Sequence, residues 1–324
     1  MTAAILVFAG SLLLSFVLFP RVIRELRRTG IVGKDLHKPD SPDIVEMGGF
    51  AIVGGLTGGI ILAVAIRTFF PPVLALNLIE TLAILSTILI VSHIGIIDDL
   101  IRLPQKIKAL TPVFAAFPLI AIRAGDTAMT LPIIGTLDFG LLYPILLIPL
   151  GITGAANAVN MLAGFNGLEV GMGVVAIACL SIVAAITGAS TPFIILIATL
   201  GALIAALKYN WYPAKVFVGD IGTLTIGAII AATAIVGNME LAGVLLIIPY
   251  FIDFVLKALH HFPSSGWNGI YRNGKLYCPK SGPVGFCQTI MKLTGGISEM
   301  RLVLTFIAME ATCGTIAILY YARV

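Results

Sequence analysis

Apolar residues are grouped into long, almost uncharged runs that recur along the whole chain. Most runs have about 17 to 22 residues, and a helix of about 20 residues crosses a hydrocarbon layer about 30 Å thick. Backbone polar groups must be satisfied internally in such a layer, which favours helices. The pattern therefore predicts an all-α, polytopic integral membrane protein with about ten transmembrane helices. The expected helices cover residues 2–20, 48–66, 78–97, 109–122, 141–158, 168–187, 192–210, 221–237, 241–259 and 301–322.

Composition agrees with this pattern, because 59% of the residues are apolar and only 11% are charged. Soluble domains have about 25% charged residues. The longest gap, residues 260–300, is too short and too rich in Gly and Pro to hold a core of its own. We therefore predict one transmembrane domain over residues 1–324. The first apolar run is expected to be a retained anchor, since Arg21 follows it directly and no small-residue cleavage site does.

The four cysteines do not suggest a disulfide framework, because two lie inside expected helices and two lie in one loop. A zinc site formed by Cys278 and Cys287 with His260 and His261 is an alternative, although their spacing matches no zinc finger pattern. We therefore do not expect disulfides to hold this fold.

Basic residues are concentrated on one side of the predicted bundle. When the connections are assigned alternately to the two sides, one side and its helix ends hold 17 of the 20 Lys and Arg residues. Cytoplasmic segments are enriched in these residues, so we expect both termini outside and the basic side in the cytoplasm. Basic residues there also attract anionic headgroups of membrane lipids. The expected cytoplasmic segments are residues 21–47, 98–108, 159–167, 211–220 and 260–300.

Four polar residues follow the fifth predicted helix, where burying them in hydrocarbon would be costly. Asn157 and Asn160 are three residues apart and share a helix face if that helix continues. Asn166 and Glu169 come after glycines that can end the helix. We expect these residues to line one wall of a polar site at the cytoplasmic end. Capping of helix ends is the alternative for each asparagine.

Asp98 and Asp99 close the third predicted helix, and Lys108 follows nine residues after the second of them. A helix C-terminus carries partial negative charge and adjacent carboxylates repel, so this position favours a nearby cation. A metal ion, Lys108 or a basic ligand-binding shell would supply the charge, and a solvated pair at the helix end is the alternative. His93 is expected to be a packed or hydrogen-bonded histidine rather than a metal ligand.

Asp220 begins the eighth predicted helix, after an approach rich in aromatic residues and glycine that includes Phe217. A capping role explains a carboxylate at a helix N-terminus. The glycines also suit a backbone that passes close to a ligand. Within later helices, Asp253 and Lys257 are four residues apart, which predicts an ion pair, and the sequence suggests no partner for Glu310.

Together these motifs resemble the polyprenyl-phosphate N-acetylhexosamine-1-phosphate transferases, a superfamily that includes MraY, WecA and the eukaryotic dolichyl-phosphate N-acetylglucosamine-phosphotransferase. The resemblance covers nearly the whole chain. The form of Asn166-Gly-Leu-Glu169, with Gly33-Lys34-Asp35-Leu-x-Lys38, is similar to the eukaryotic and archaeal branch. The motifs that carry the resemblance are Asp98-Asp99 with Lys108, Asn157-x-x-Asn160, Asn166-Gly-Leu-Glu169 and Phe217-Val-Gly-Asp220.

The resemblance implies that residues 1–324 form one catalytic domain, a Mg²⁺-dependent phosphoglycosyltransferase. It implies a UDP-sugar donor, UDP-N-acetylglucosamine or a close relative, and a polyprenyl or dolichyl phosphate acceptor. The products would be a lipid-linked diphosphate sugar and UMP, in the first membrane step of lipid-linked glycan assembly. The protein would lie in a prokaryotic (archaeal, for example) plasma membrane or the endoplasmic reticulum membrane, with a cytoplasmic active site. Its further partners would be membrane lipids and a second copy of the chain in a homodimer. Nucleic acid is not expected as a partner.

The resemblance also implies roles for single residues. Asn160 and Asp220 would hold Mg²⁺, or Mn²⁺ in its place, against the diphosphate, since hard cations take carboxylate and amide oxygens. Lys108 would stabilise charge on the transferring phosphates. Asp98 and Asp99 would orient Lys108 or the lipid phosphate, with Asp99 nearer the reacting centre. Asn166 and Phe217 would contact uracil. The other residues expected to bind substrate are Asn157, Glu46, Lys34, His260 and His261.

Two other classes of protein fit parts of the pattern. An ion-coupled secondary transporter would bind its ion and substrate near the membrane midplane, between repeated halves. Here the polar residues lie at one face, and no repeat is evident. A lipid-binding scaffold without chemistry would leave the spacing of the Asp, Lys and Asn residues unexplained. The pattern therefore favours the enzyme.

Overall fold

The computed structural model describes residues 2–131, 135–263 and 266–323. Nine helices within these residues are long and apolar enough to cross a membrane, and three are short. The chain is therefore an integral, multi-pass membrane protein with a mainly helical fold. In chain order the helices are α1 (Thr2–Arg28), α2 (Gly49–Phe69), α3 (Leu78–Ile101), α4 (Gln105–Leu110), α5 (Phe117–Ala121), α6 (Ile148–Leu162), α7 (Leu168–Thr187), α8 (Ser190–Asn210), α9 (Gly219–Val236), α10 (Glu240–Leu259), α11 (Phe286–Leu293) and α12 (Glu299–Tyr321).

The fourth predicted helix, residues 109–122, is not a continuous α-helix. The six residues of α4 are followed by a 3₁₀ segment, Thr111–Ala116, and then by α5. Pro112 and Pro118 have no amide hydrogen, so the α-helical hydrogen-bond ladder cannot run through this stretch. The prediction of about ten transmembrane helices is therefore corrected to nine long helices and one interrupted segment within the described residues.

The interrupted segment nevertheless runs from one end of α9 to the other, packed against α3 and α6. At its start, Lys108 pairs with Asp220 in the first turn of α9. Just beyond its end, the backbone amide of Asp126 donates to Asn238 Oδ1, two residues past the other end of α9, at 2.7 Å. The segment thus connects the two ends of the bundle as the neighbouring helices do.

Three short antiparallel hairpins lie outside the long helices, in a fold that is otherwise mainly helical. Gly33 pairs with Ile44 in the first hairpin, and Tyr271 pairs with Leu276 in the third. The second hairpin pairs Met129 with Leu137, and residues 132–134 between its strands lie outside the described residues. The strands are β1 (Val32–Lys34), β2 (Asp43–Val45), β3 (Ala128–Leu131), β4 (Gly135–Asp138), β5 (Ile270–Arg272) and β6 (Lys275–Tyr277).

The centre of the bundle is α9, in which every residue from Ile221 to Ile235 is buried. Neighbouring helices approach it through glycine. A Cβ atom on Gly95 of α3 would lie 2.6 Å from the Cα atom of Ile221, and one on Gly227 would collide with the backbone carbonyl of Ala155 in α6. Small residues thus allow backbones to pack directly against each other. This packing brings the polar ends of α3 and α6 to the first turn of α9.

Both ends of the described chain lie at the end of the bundle opposite that first turn. Helix α12 begins beside the β1–β2 hairpin, where Glu299 pairs with Lys38. Because α1 leads directly into the same hairpin, Thr2 at its start and Tyr321 at the end of α12 both lie about one helix length away. The start of α1 and the end of α12 therefore lie at the same end of the bundle.

Candidate active site

Lys108 lies between two carboxylates at the end of the bundle where α3, α4 and α9 meet. Its Nζ atom lies 2.5 Å from Asp98 Oδ2 and also donates to Asp220 Oδ2. The Lys108 side chain is 26% exposed and that of Asp220 is 20% exposed, so both can be reached from outside the protein. The structure thus brings together three residues that lie up to 122 positions apart in the sequence.

The turn between α3 and α4 explains how Lys108 reaches this position. Arg102 ends α3 in the left-handed conformation, with φ of 52°. The backbone amide of Leu103 then donates to Asp98 Oδ1 at 2.7 Å, so one carboxylate holds the turn with one oxygen and Lys108 with the other. Asp98 therefore joins the end of α3 to both the turn and Lys108.

Asp99 has a different contact from its neighbour. Its Oδ1 accepts a hydrogen bond from the backbone amide of Asp220 at 3.0 Å, and its Oδ2 accepts one from Ile221 at 3.3 Å. These are free amides at the N-terminus of α9, where partial positive charge favours a carboxylate. Gly219 permits the approach, because its φ is +67° and a Cβ atom there would lie 2.5 Å from Asp99 Oδ2. Asp98, rather than Asp99, is the aspartate in contact with Lys108.

Asn160 lies beside Asp220 and Lys108 on the inner face of α6. Amide orientation is assigned from hydrogen-bond partners. The orientation that satisfies every neighbour places the nitrogen 2.9 Å from Asp220 Oδ1 and 2.8 Å from Thr223 Oγ1, and the oxygen 3.2 Å from Lys108 Nζ. The two residues predicted to bind a metal ion, Asn160 and Asp220, are thus adjacent in space.

These groups have the composition of a site for a hard cation. Asp98, Asp99 and Asp220 provide three carboxylates against the single ammonium of Lys108. If the Asn160 amide turns over, its oxygen faces Asp220 Oδ1 at 2.9 Å, and a cation between two such oxygens would stabilise that arrangement. The residues present therefore fit Mg²⁺.

Asn157 supports the site instead of pointing into it. Its side-chain nitrogen donates to the backbone carbonyl of Ala109 at 2.9 Å and to that of Thr153 at 2.8 Å. The first bond joins α6 to the residue that follows Lys108. The structure thus places Asn157, predicted to bind substrate, in contact with backbone.

A second buried cluster joins four chain segments at the same end of the bundle. Lys38 Nζ lies 3.1 Å from Asp35 Oδ2 and 2.5 Å from Glu299 Oε2. The Asn166 backbone amide donates to Glu299 Oε1 at 2.8 Å, and its side-chain nitrogen donates to Asp35 Oδ2 at 3.1 Å. Its side-chain oxygen accepts from the backbone amide of Ala214 at 2.7 Å. Asn166, predicted to contact uracil, thus has both ends of its amide bonded within the protein.

The same cluster contains ligand types that bind metal ions. One ligand atom each of Asp35, His37 and Glu299 lies within 4.8 Å of the others. Lys38 already supplies the cation that the two carboxylates need. His37 stacks on Phe165, with ring centroids 4.4 Å apart, and its Nε2 has no hydrogen-bond partner within the described part of the chain. Burial lowers the pKa of His37 to about 4, although Asp35 opposes the shift, so the ring is neutral at physiological pH.

Phe217 lies between the two clusters along the chain. Its backbone amide donates to the carbonyl of Val45 at 2.8 Å, and its carbonyl accepts from Gly48 at 2.8 Å. The aromatic side chain is half-buried, three residues before Asp220. The β2 strand thus fixes the backbone that enters α9 and leaves the Phe217 ring accessible, as a stacking role requires.

Glu46 and Lys34, two further residues predicted to bind substrate, belong to the first hairpin. Glu46 is half-buried and packs over Gly33, where a Cβ atom would collide with its carboxylate. Lys34 is exposed and pairs with Asp43 across the hairpin at 2.7 Å. Both side chains are thus partly open to solvent near the second cluster.

His260 and His261 are exposed where α10 ends. His260 Nδ1 lies 2.9 Å from the carbonyl of Leu256. The backbone carbonyl of Phe262, which follows His261, accepts a hydrogen bond from the Gln105 side chain at 3.2 Å. That hydrogen bond places the loop beside Gln105, at the start of α4 and three residues before Lys108. The two histidines predicted to bind substrate therefore lie at the edge of the candidate site.

Several predictions about other residues can be compared with the structure. His93 is hydrogen-bonded, with Nδ1 2.6 Å from the carbonyl of Leu89. The Asp253–Lys257 ion pair forms at 2.8 Å. Glu310 is fully buried, and its carboxyl oxygens have no hydrogen-bond partner among the described residues. The four cysteines are free thiols, and the sequence suggested no disulfide framework.

The sequence reasoning missed three members of these clusters. Thr223 lies three residues after Asp220, so it shares a helix face, and this spacing could have indicated it. Lys38 lies in the motif that carried the resemblance and was assigned no contact. Glu299 gave no signal, because the sequence placed it in the loop of residues 260–300, whereas the structure places it in the first turn of α12.

Several known proteins are similar to this chain along most of its length. The profile of glycosyl transferase family 4 matches residues 81–238, which contain the first cluster. A candidate UDP-N-acetylglucosamine–dolichyl-phosphate N-acetylglucosaminephosphotransferase of Saccharolobus solfataricus is 33% identical over 312 residues, 95% of this chain and 94% of that relative. A protein of Dictyostelium discoideum that bears the same enzyme name is 28% identical, over 95% of this chain and 85% of its own length.

A further relative comes from bacteria. The phospho-N-acetylmuramoyl-pentapeptide-transferase of Halalkalibacterium halodurans is 30% identical over 80% of this chain and 89% of its own length. Similarity thus extends along nearly the whole sequence and is not limited to one motif. The chain belongs to glycosyl transferase family 4.

Proposed function

We propose that this protein transfers N-acetylglucosamine 1-phosphate from UDP-N-acetylglucosamine to a polyprenyl or dolichyl phosphate. An oxygen of the lipid phosphate attacks the phosphorus that carries the sugar, the bond to the UMP phosphate breaks, and UMP leaves with that electron pair. The names of the archaeal and Dictyostelium relatives support this donor and acceptor. The transporter alternative has no comparable support.

The observation that carries the proposal is the Lys108 cluster at one end of an apolar bundle. Lys108 bridges Asp98 and Asp220 beside Asn160 and remains partly exposed. An ammonium at this place can leave its carboxylates and stabilise negative charge on the transferring phosphates. A lipid phosphate is already largely ionised at neutral pH, so the protein positions the nucleophile and needs no general base.

Mg²⁺, or Mn²⁺ in its place, would be held by Asp220 and Asn160. When bound, the ion supplies charge neutralisation on the diphosphate. Asp98 keeps Lys108 close to that position, and Asp99 fixes the first turn of α9 on which Asp220 stands. The chain thus provides both the oxygen ligands and the scaffold that holds them.

The nucleotide would lie against the segment that leads into α9. Phe217 is half-buried with its backbone fixed by β2, which suits stacking on uracil. Glu46 and Lys34 have accessible side chains nearby, and His260 and His261 lie at the edge next to α4. Asn166 and Asn157 are bonded within the protein, so we assign them to the support of this site.

The site end of the bundle is proposed to face the cytoplasm, with both termini outside. The count of 17 basic residues on that side supports this orientation. The membrane is proposed to be a prokaryotic plasma membrane, since two of the three relatives compared are prokaryotic, or else the endoplasmic reticulum membrane. A homodimer and contacts with membrane lipids remain proposals of the same kind.

The experiment that tests the function is direct. Purified protein is incubated with polyprenyl phosphate, Mg²⁺ and a panel of UDP-sugars, and UMP and lipid-linked product are measured. We expect product from UDP-N-acetylglucosamine, and loss of activity in Asp220→Asn, which remains folded in detergent. No UMP release from any donor would contradict the function, and full activity in Asp220→Asn would contradict the magnesium assignment alone.

A further inference from the structure

The Lys38 cluster lies directly behind the segments that carry the two proposed metal ligands. Asn166 follows Asn160 by six residues, and Ala214 precedes Asp220 by six residues. The hydrogen bond from the Ala214 amide to Asn166 Oδ1, at 2.7 Å, therefore joins the chain leaving α6 to the chain entering α9. Whatever fixes Asn166 also fixes the spacing between these two segments.

Asn166 is fixed by the two carboxylates that share Lys38. Its backbone amide donates to Glu299 and its side-chain nitrogen donates to Asp35. These carboxylates are 4% and 3% exposed, so without the ammonium between them they would repel in a poorly solvated place. Lys38 also lies over the ring of Tyr212, 4.3 Å from its centroid, in the loop that contains Ala214.

We propose that Lys38 is a positioning residue, whose ammonium holds the loops of Asn166 and Tyr212 together and thereby sets the affinity for the nucleotide sugar. The inference rests on the proposed function, because it assigns the nucleotide to the site that these loops flank. Lys38 acts through Asn166 and Tyr212 and does not itself contact the reacting phosphates. A buried lysine takes the place that a structural metal ion would otherwise occupy.

The test compares Lys38→Met with wild type in the same donor assay. We expect the KM for UDP-N-acetylglucosamine to rise about tenfold or more, as for other residues that orient ligands from behind. The kcat should fall by a smaller factor than the donor KM rises, because Lys108 keeps its own contacts with Asp98 and Asp220, and the KM for the lipid phosphate should change less than about threefold. UMP affinity, measured by calorimetric titration with Mg²⁺ present, should fall by the same factor as the donor KM rises.

Lys38→Met leaves two buried carboxylates without their ammonium and can lower stability. The double variant Lys38→Met/Glu299→Gln removes one of these charges, and the Gln oxygen can still accept from the Asn166 amide. Its melting temperature should recover while its donor KM stays raised. Arg28→Gln is the matched control, because Arg28 loses only an exposed ion pair with Glu25 and should match wild type in every measurement.

The outcomes separate the two proposals. Wild-type donor KM and UMP affinity in Lys38→Met would overturn the role of Lys38 and leave the transferase function intact. A donor KM that recovers together with the melting temperature in the double variant would also overturn it, because the effect would be general destabilisation. Calorimetry does not require turnover, so it tests Lys38 even if the donor panel gives no product. Absence of UMP binding by wild type would contradict both proposals.

Discussion

Two lysines in this protein have almost the same partners and opposite surroundings. Lys108 and Lys38 are each shared by two carboxylates, one from a nearby segment and one from a distant helix. The Lys108 side chain is 26% exposed, whereas Lys38 is 11% exposed. The Lys108 cluster also has the additional carboxylate of Asp99 and a turnable amide, and the Lys38 cluster has its amide fully bonded. The same ionic group thus serves a ligand site in the more exposed Lys108 cluster, the open cluster, and holds the backbone in the buried Lys38 cluster, the closed cluster.

Replacing the lysine of the open cluster should give the largest effect. Lys108→Met is expected to lower kcat about a hundred- to a thousandfold, because a charge aimed at the transferring phosphates is lost. UMP release under saturating substrates measures this change. Lys106→Met is the control, since Lys106 is exposed two residues earlier on the same short helix. A kcat within twofold of wild type in Lys108→Met would show that the two clusters do not differ in this way.

Acid should weaken the closed cluster through His37. The pKa of His37 is about 4 in the folded chain, because of burial, and about 6.5 in an unfolded chain. The unfolded state therefore binds the proton more readily, and stability present above pH 6.5 is lost as pH falls towards 4. The difference corresponds to about 3 kcal/mol at most.

The measurement is the free energy of unfolding against pH for wild type and His37→Phe. The variant keeps the stacking on Phe165 and removes the titrating group, so its stability should fall less between pH 6.5 and 4. Carboxylates titrate equally in both proteins and cancel in the difference. Identical pH profiles would show that the closed cluster is not sensitive to acid at this residue.

The smallest effect is expected at Asp99, which belongs to the open cluster but does not contact Lys108. Asp99→Ala removes the acceptor of two amides at the start of α9 and should destabilise the protein by about 1–2 kcal/mol. Thermal unfolding in detergent measures it, with the exposed Asp40→Ala as control. A loss of activity as large as that of Lys108→Met, without loss of stability, would assign Asp99 to the chemistry instead.

The sequence was sufficient to bring the open cluster together. Asp98, Lys108, Asn160 and Asp220 all lie at helix ends that the distribution of basic residues puts on one side. The Asp253–Lys257 pair followed from spacing on a single helix. In these cases the relevant information is local, or requires only the side of the membrane on which a helix ends.

The closed cluster could not be predicted in the same way. Lys38 and Glu299 are 261 residues apart, and no periodicity indicates that a hairpin turn will meet the first turn of α12. Likewise, the adjacent Asp98 and Asp99 look equivalent, and only the packing of α3 on α9 through Gly95 sends one to Lys108 and the other to backbone amides. Hydrophobic patterns indicate which face of a helix is buried. They do not indicate which part of another helix that face will contact.

The break after α4 has a consequence for how the site keeps its shape during motion. Pro112 cannot donate to the carbonyl of Lys108, and the Thr111 hydroxyl donates to it instead at 3.1 Å, while Asn157 donates to the carbonyl of Ala109. Asn157 lies three residues before Asn160 on α6. A displacement of α6 along its axis would therefore carry the backbone at Lys108 and the amide of Asn160 together. The hydrogen bond from Asn157 thus couples the backbone next to Lys108 to the helix that carries Asn160.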